Sequence, residues 1–336
     1  MTTKDHPSDG ADDQKLHTEY ENGDLAFTRD SPFGTEAEAS FAGALSFLRR
    51  RYSKDLRDAD LAVVGVPFDL ATTNRPGARL GPRGIRAASA MLAWARPWGW
   101  DFDPFDQLHV IDYGDVQFDW GRPDGITAAL CDQFTHIGDA GAAALMLGGD
   151  HFCTYPVMKA LAARHGPLAL VHFDAHSDTW RDEDGRVDHG TMFFHASRSS
   201  IIDAEHSVQV GLRTVNEEDH GFLVLDADQV RARGLDETIA TIRARVGDRP
   251  CYLTFDIDFL DPAYAPGTGT PVVAGFSTAD ARYLLRGLAG LHLKGMDVVE
   301  VAPPYDVSEI TALAGATIAL DLICLYAARS RYPVTG

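Results

Sequence analysis

From Asp60 onward the chain alternates short apolar runs with longer segments in which apolar residues recur every three or four positions. The short runs are Leu61 to Pro67, Leu108 to Tyr113, Ala143 to Leu147, Leu168 to Phe173, Val208 to Leu212, Cys251 to Ile257 and Leu293 to Val301. Few polar residues interrupt them, as expected of strands covered on both faces. Between them, Pro156 to His165, Leu235 to Val246 and Thr278 to Leu288 have the spacing of amphipathic helices, and a further helix is expected from about Pro82. Alternation of the two kinds predicts an α/β fold, a parallel sheet with helices on both faces. No Pro/Gly/Ser-rich linker divides residues 60–330 and no fixed-period repeat is present, so residues 36–336 read as one catalytic domain. Residues 1–35, rich in acidic and small polar residues, predict a flexible acidic arm.

Composition narrows the partners. Of 336 residues, 45% are apolar and 24% charged, the balance of a globular protein with a large core. The formal charge of −19 argues against a nucleic-acid partner and suits a small cation. Apolar runs such as Ala142 to Leu147 and Leu168 to Val171 fall far short of the roughly 20 residues that span a bilayer. The first residues lack the basic start and apolar centre of a secretory signal, so the expectation is a cytoplasmic protein with no membrane partner. Cys131, Cys153, Cys251 and Cys324 lie far apart with no CxxC pair, which predicts reduced core thiols.

Three predicted strands end in potential metal ligands. Ala143 to Leu147 leads into Gly148-Gly149-Asp150-His151, Leu168 to Phe173 into Asp174-Ala175-His176-Ser177-Asp178, and Cys251 to Phe255 into Asp256-Ile257-Asp258. If these segments stay extended, Asp174, His176 and Asp178 share one side of the chain, as do Asp256 and Asp258. Any one of these acids is unremarkable, because Asp commonly caps helices and turns. Four carboxylates and two imidazoles gathered at one sheet edge are different: without a cation their desolvation would be prohibitive. Oxygen-rich, sulfur-free ligation favours Mn²⁺ over structural zinc, with Co²⁺, Ni²⁺ and Fe²⁺ as alternatives because affinity alone does not select the metal, and four acids can neutralise two dications.

GGDH (148–151), DAHSD (174–178) and DIDFLDP (256–262) resemble the metal-binding signatures of the arginase and agmatinase family of ureohydrolases, and the resemblance runs from about Asp60 to the last helix. It implies an arginase-like three-layer α/β/α sandwich with a mainly parallel central sheet, and two Mn²⁺ per chain. One ion would take His151, Asp174, Asp178 and Asp256, and the other Asp174, His176, Asp256 and Asp258. It also implies an acid/base or proton-shuttle role for His189 in DHGTMF (188–193), and a guanidinium-holding role for Glu300 in GMDVVEVAPPYD (295–306). Thr270 in PGTGTP (266–271) is a substrate-binding candidate, and Asp178 a catalytic one that orients the attacking water. Both larger roles make chemical sense: a carboxylate accepts paired N–H bonds from a planar cation, and a departing amine needs a proton from a group that titrates near neutral pH.

Within the family, arginases carry an Asn two residues beyond the last Asp of their DAHxD motif and a downstream Ser–Gly–Asn element; here Trp180 and Arg181 follow Thr179. The segments 65–82, 182–193 and 266–271 look instead like bacterial agmatinase. The implied reaction is hydrolysis of agmatine to putrescine and urea by hydroxide formed between two cations, in a homotrimer or homohexamer. Guanidinobutyrase shares the same motifs and is the alternative substrate reading. A catalytically silent metal-stabilised binding protein and a one-zinc amide hydrolase are the rivals of other classes; His176, Asp258 and Glu300 favour the guanidino branch. The basic, Gly-rich RPGARLGPRGIR (75–86) lacks the lysine of a phosphate loop and reads as a tight loop at the pocket edge.

Overall fold

The computed structural model describes Ala26, residues 39–182 and residues 184–329. The expected acidic arm, apart from Ala26, and Glu183 lie outside the described residues. Eight strands form one sheet: β1 (Leu61–Gly65), β2 (Val110–Asp115), β3 (Ala143–Leu147), β4 (Ala169–Phe173), β5 (Val208–Val210), β6 (Leu223–Leu225), β7 (Cys251–Asp256) and β8 (Leu293–Val299). Their spatial order is β2-β1-β3-β8-β7-β4-β5-β6, and every named pairing is parallel.

Alternate residues of each strand feed two cores. Leu61, Val63, Leu145, Leu147, Val171 and Phe173 pack with α1 (Gly81–Ser89), α6 (Leu235–Val246), α7 (Thr278–Gly287) and α8 (Ile310–Ala328). Ala62, Val64, Ala144, Met146, Leu170 and Tyr252 pack on the other face with α2 (Ile126–Asp139), α3 (Thr154–His165) and α4 (Met192–Arg198). The result is a three-layer α/β/α sandwich, completed by the short α5 (Ala227–Arg233). The strand β6, only three residues long, is the one the hydrophobic pattern did not predict.

Counting uninterrupted apolar runs overlooked α8. Among the described residues it is the one helix long and apolar enough to cross a membrane by length and composition. It is instead mostly buried inside the protein. Near its C-terminal half Asp321, fully buried, accepts from Trp100 Nε1 at 2.7 Å and from Arg282 Nε at 2.6 Å. A buried carboxylate so paired belongs to a protein core, where its charge is matched.

At the other end of the sheet, Arg86 on α1 is clamped by Asp112 (2.8 Å) and Asp115 (2.6 Å). Burial works against its charge, but the two carboxylates hold its pKa above the ordinary arginine value. Asp112 also accepts from the Phe47 backbone N–H at 2.7 Å, fastening the segment that precedes β1. Arg86→Met would strand a buried carboxylate, so it is expected to destabilise the chain by about 3–5 kcal/mol. Denaturant unfolding measures this, and a loss under ~1 kcal/mol would show the cluster to be structurally idle.

Candidate functional site

Strands β3, β8, β7 and β4 are adjacent at the centre of the sheet, and the loops at their C-terminal ends converge. β3 delivers Gly148 to His151, β8 delivers Glu300, β7 delivers Asp256 and Asp258, and β4 delivers Asp174 to Asp178. Gly149 is required here, because a Cβ at that position would lie 1.8 Å from the Phe68 carbonyl oxygen.

His151 Nδ1 stands 3.1 Å from Asp174 Oδ2, 2.9 Å from Asp178 Oδ2 and 3.2 Å from Asp256 Oδ2. On the other side of Asp174, His176 Nδ1 lies 3.3 Å from Asp174 Oδ1 and 3.1 Å from Asp258 Oδ2. Asp174 therefore offers one oxygen to each group. Asp256 turns Oδ2 toward the first group, while its Oδ1 accepts the Asp258 backbone N–H at 2.8 Å.

The extended-strand expectation for these residues needs correction. β4 stops at Phe173, and Asp178 adopts a left-handed backbone (φ 52°) with its Oδ2 beside His151 Nδ1. Asp258 lies in a single 3-10 turn, Ile257–Phe259. Tight turns, not strand alternation, bring the ligands together. Asp178 and Glu300 (φ 62°) both hold a conformation that costs non-glycine residues energy, so the surrounding structure imposes it.

Behind the first group runs a polar chain that the motifs did not reveal. His151 Nε2 meets Thr254 Oγ1 at 2.8 Å, and Thr254 donates to Asp297 Oδ1 at 2.5 Å. Thr154 and Tyr252 also donate to Asp297, at 2.7 and 2.8 Å. With its hydroxyl proton on Asp297, Thr254 accepts from His151 Nε2–H, which leaves the Nδ1 lone pair facing the three carboxylates. His172, in the middle of apolar β4, is another residue the motifs did not reveal; its signal is a histidine two places before Asp174, in the strand that leads into the motif.

Glu300 Oε1 accepts from the His151 backbone N–H and from His189 Nδ1, each at 2.9 Å. Its Oε2 is buried without a hydrogen-bond partner and faces Gly269. His189 Nε2 is met by the Thr73 backbone N–H at 2.9 Å and the Thr73 hydroxyl at 2.8 Å. That N–H needs a lone pair, so the geometry is that of a neutral ring with its proton on Nδ1. Burial disfavours the charged ring, yet Glu300 overcomes it and pushes the pKa up to about 9. The two tendencies oppose each other, and the second proton displaces the Thr73 N–H. Thr270 Oγ1 lies 3.3 Å from Asp258 Oδ2, at the rim of the second group. Asn74 Nδ2 donates to the Gly269 carbonyl at 2.9 Å, so the loop around residues 72–77 closes one side of the site.

The electrostatics ask for cations. Burial and then Asp258 push the Asp256 carboxyl well above the usual range; burial and then Asp174 raise Asp258. Burial also opposes the charge of Asp174, but His172 and the hydrogen bonds around it hold its carboxyl well below the usual range. His151 Nδ1, buried among three acid oxygens, makes no hydrogen bond to any of them. An orphaned ring nitrogen about 3 Å from three carboxylate oxygens fits a hard divalent cation, whose octahedral donors at roughly 2.1 Å stand that far apart.

The family model described as the arginase family matches residues 59–324. This chain belongs to the arginase family. A family member from Chromobacterium violaceum named agmatinase is 52% identical over 305 residues, spanning 90% of this chain and 95% of its own. A crystal structure described as a hypothetical agmatinase from Burkholderia thailandensis superposes with a TM-score of 0.88 at 53% identity, covering 92% of this chain and 99% of that one. Proclavaminate amidino hydrolase from Streptomyces clavuligerus follows with a TM-score of 0.80 at 37% identity, covering 87% and 100%. The arginase family supplies the fold, with the acid and histidine groups at the expected edge of its sheet.

Proposed function

We propose that this chain hydrolyses agmatine to putrescine and urea at a pair of divalent cations, with manganese as the natural pair. The observation that carries the proposal is the buried, unpartnered Oε2 of Glu300, a ready acceptor for a guanidinium N–H beside the two acid and histidine groups. Likeness to proteins named agmatinase supports the choice of substrate.

His151, Asp174, Asp178 and Asp256 would hold one cation, and Asp174, His176, Asp256 and Asp258 the other. When bound, such a pair supplies Lewis-acid activation of the attacking water. Asp178 orients that water by accepting a hydrogen bond, while Glu300 holds the guanidinium so that its carbon faces the attack. Nε2 of His189 is the atom that can pass a proton to the departing amine, and loading it releases the Thr73 N–H. Thr270 lines the approach.

The loop after the ligands leans acidic, but much of that charge is internally matched. Asp182 pairs with Arg186 at 3.4 Å, Arg186 with Asp188 at 3.2 Å, and Arg181 with Glu218 at 3.5 Å. Its contribution to the agmatine ammonium is therefore that of partly screened surface charge, together with the net negative chain. Agmatine is expected to exceed guanidinobutyrate in kcat/KM by at least about tenfold, or ~1.4 kcal/mol of transition-state discrimination. Urea release over agmatine, arginine, guanidinobutyrate and guanidinopropionate measures it. A reversed ratio would move the assignment to guanidinobutyrase and leave the cation-binding groups as they stand. A trimeric or hexameric assembly and action in the cytoplasm complete the proposal, and light scattering of the full chain tests the first.

A further inference from the structure

His172 is wholly buried in β4 and takes no part in the steps above. Gln209 on β5 places its amide nitrogen 3.0 Å from His172 Nδ1 and donates with the same nitrogen to the Ser177 carbonyl at 2.5 Å. A carbonyl oxygen only accepts, so the amide nitrogen must face Ser177, and the His172 ring atom it also meets carries a lone pair. The ring proton then sits on Nε2, 2.7 Å from Asp174 Oδ2. His172 lies within reach of the first group, but with Nε2 protonated it cannot be a ligand there. It is a donor to a ligand.

Its grip on Asp174 is one-sided. Oδ2, which receives the His172 proton, is the oxygen 3.1 Å from His151 Nδ1. Oδ1 faces His176 Nδ1 at 3.3 Å and accepts the His176 backbone N–H at 2.6 Å. We infer that His172, its tautomer fixed by Gln209, is a positioning residue that sets cation affinity on the His151 side of the pair and leaves the His176 side alone. This rests on the two-cation reading. The hydrogen bond stops Oδ2 from swinging about the carboxylate axis and aims its remaining lone pair at the His151 group. Partners of this kind carry 10–100-fold of metal affinity.

Core packing is the competing role, since the His172 ring packs edge-on against Phe193 at 4.9 Å and His151 at 5.2 Å between centroids. His172→Phe keeps a ring there and removes only the donor; His172→Gln restores an N–H near the Nε2 position. The full chain is loaded with Mn²⁺ and titrated with a chelator, and release is followed by manganese electron paramagnetic resonance. A His176→Asn chain marks the phase that belongs to the His176 side. In His172→Phe the dissociation constant of the other phase is expected to rise about 10–100-fold, with the His176 phase unmoved and His172→Gln close to wild type. Equal weakening of both phases, or no change in either, overturns the inference. A wild-type chain that binds fewer than two ions overturns the two-cation reading and this inference with it. Should metal-free melting show the Phe variant unfolded, Gln209→Leu serves instead: it frees the ring to change tautomer and should weaken the same phase, and an unchanged phase overturns the inference equally.

Discussion

Replacing Asp256 by Asn is expected to abolish urea release and strip the bound cations together. Asp256 Oδ2 completes the oxygen set around His151 Nδ1, and its Oδ1 accepts the N–H of Asp258, the acid of the second group. An amide keeps the volume but removes the charge, and with its NH₂ at either position it sets a donor where an acceptor is needed. The loss should reach about three orders of magnitude or more in kcat/KM, the scale of several kcal/mol of charge stabilisation. Elemental analysis reads the metal directly. The metal-free variant should be no less stable than wild type, since burial and Asp258 already disfavour this carboxylate when no cation is present. A variant that kept two ions and most of its turnover would end the bridging role.

His189→Ala should do the opposite, sparing the metal while lowering kcat by about 10²–10⁴, the range for a positioned acid/base group. Its pH dependence gives a second reading. Glu300 lifts the His189 pKa to about 9 against burial. A raised histidine contributes stability fully below its unfolded value of about 6.5 and loses it as pH rises toward the folded value. Metal-free protein should thus lose stability between about pH 6.5 and 9, and Glu300→Gln should erase that slope. Bound cations and a guanidinium would draw the pKa downward by repulsion, so the alkaline limb of kcat should fall below that of the metal-free titration. Full activity of the alanine variant across about pH 6 to 9 would remove His189 from the proton path.

The strands were legible because a sheet buried on both faces leaves continuous apolar runs, and seven such runs became β1 to β5, β7 and β8. β6 escaped because an edge strand of three residues has too little pattern to register. α8 escaped the run count because Thr311, Gly315, Thr317 and Asp321 break up its apolar residues, although three-dimensional burial joins them. In the site, the motif residues were legible as polar letters at strand ends. Thr73, Thr254, Asp297 and Gln209 were not, since each meets its partner across a long sequence separation that no local spacing records. The turn at Asp178 was hidden for another reason: a left-handed aspartate looks like any other in the sequence.

The position of β8 bears on how the chain comes into being. Among the described residues it is the last strand made, yet it sits between β3 and β7 in the middle of the sheet. Until residues 293–299 leave the ribosome, the earlier strands can form only two half-sheets, each with an open inner edge that exposes unpaired backbone. Joining them closes contacts of long sequence separation, which makes the step slow and the waiting halves prone to aggregate. The same late strand carries Glu300 into place, so the guanidinium acceptor arrives only when the two halves have been stitched together.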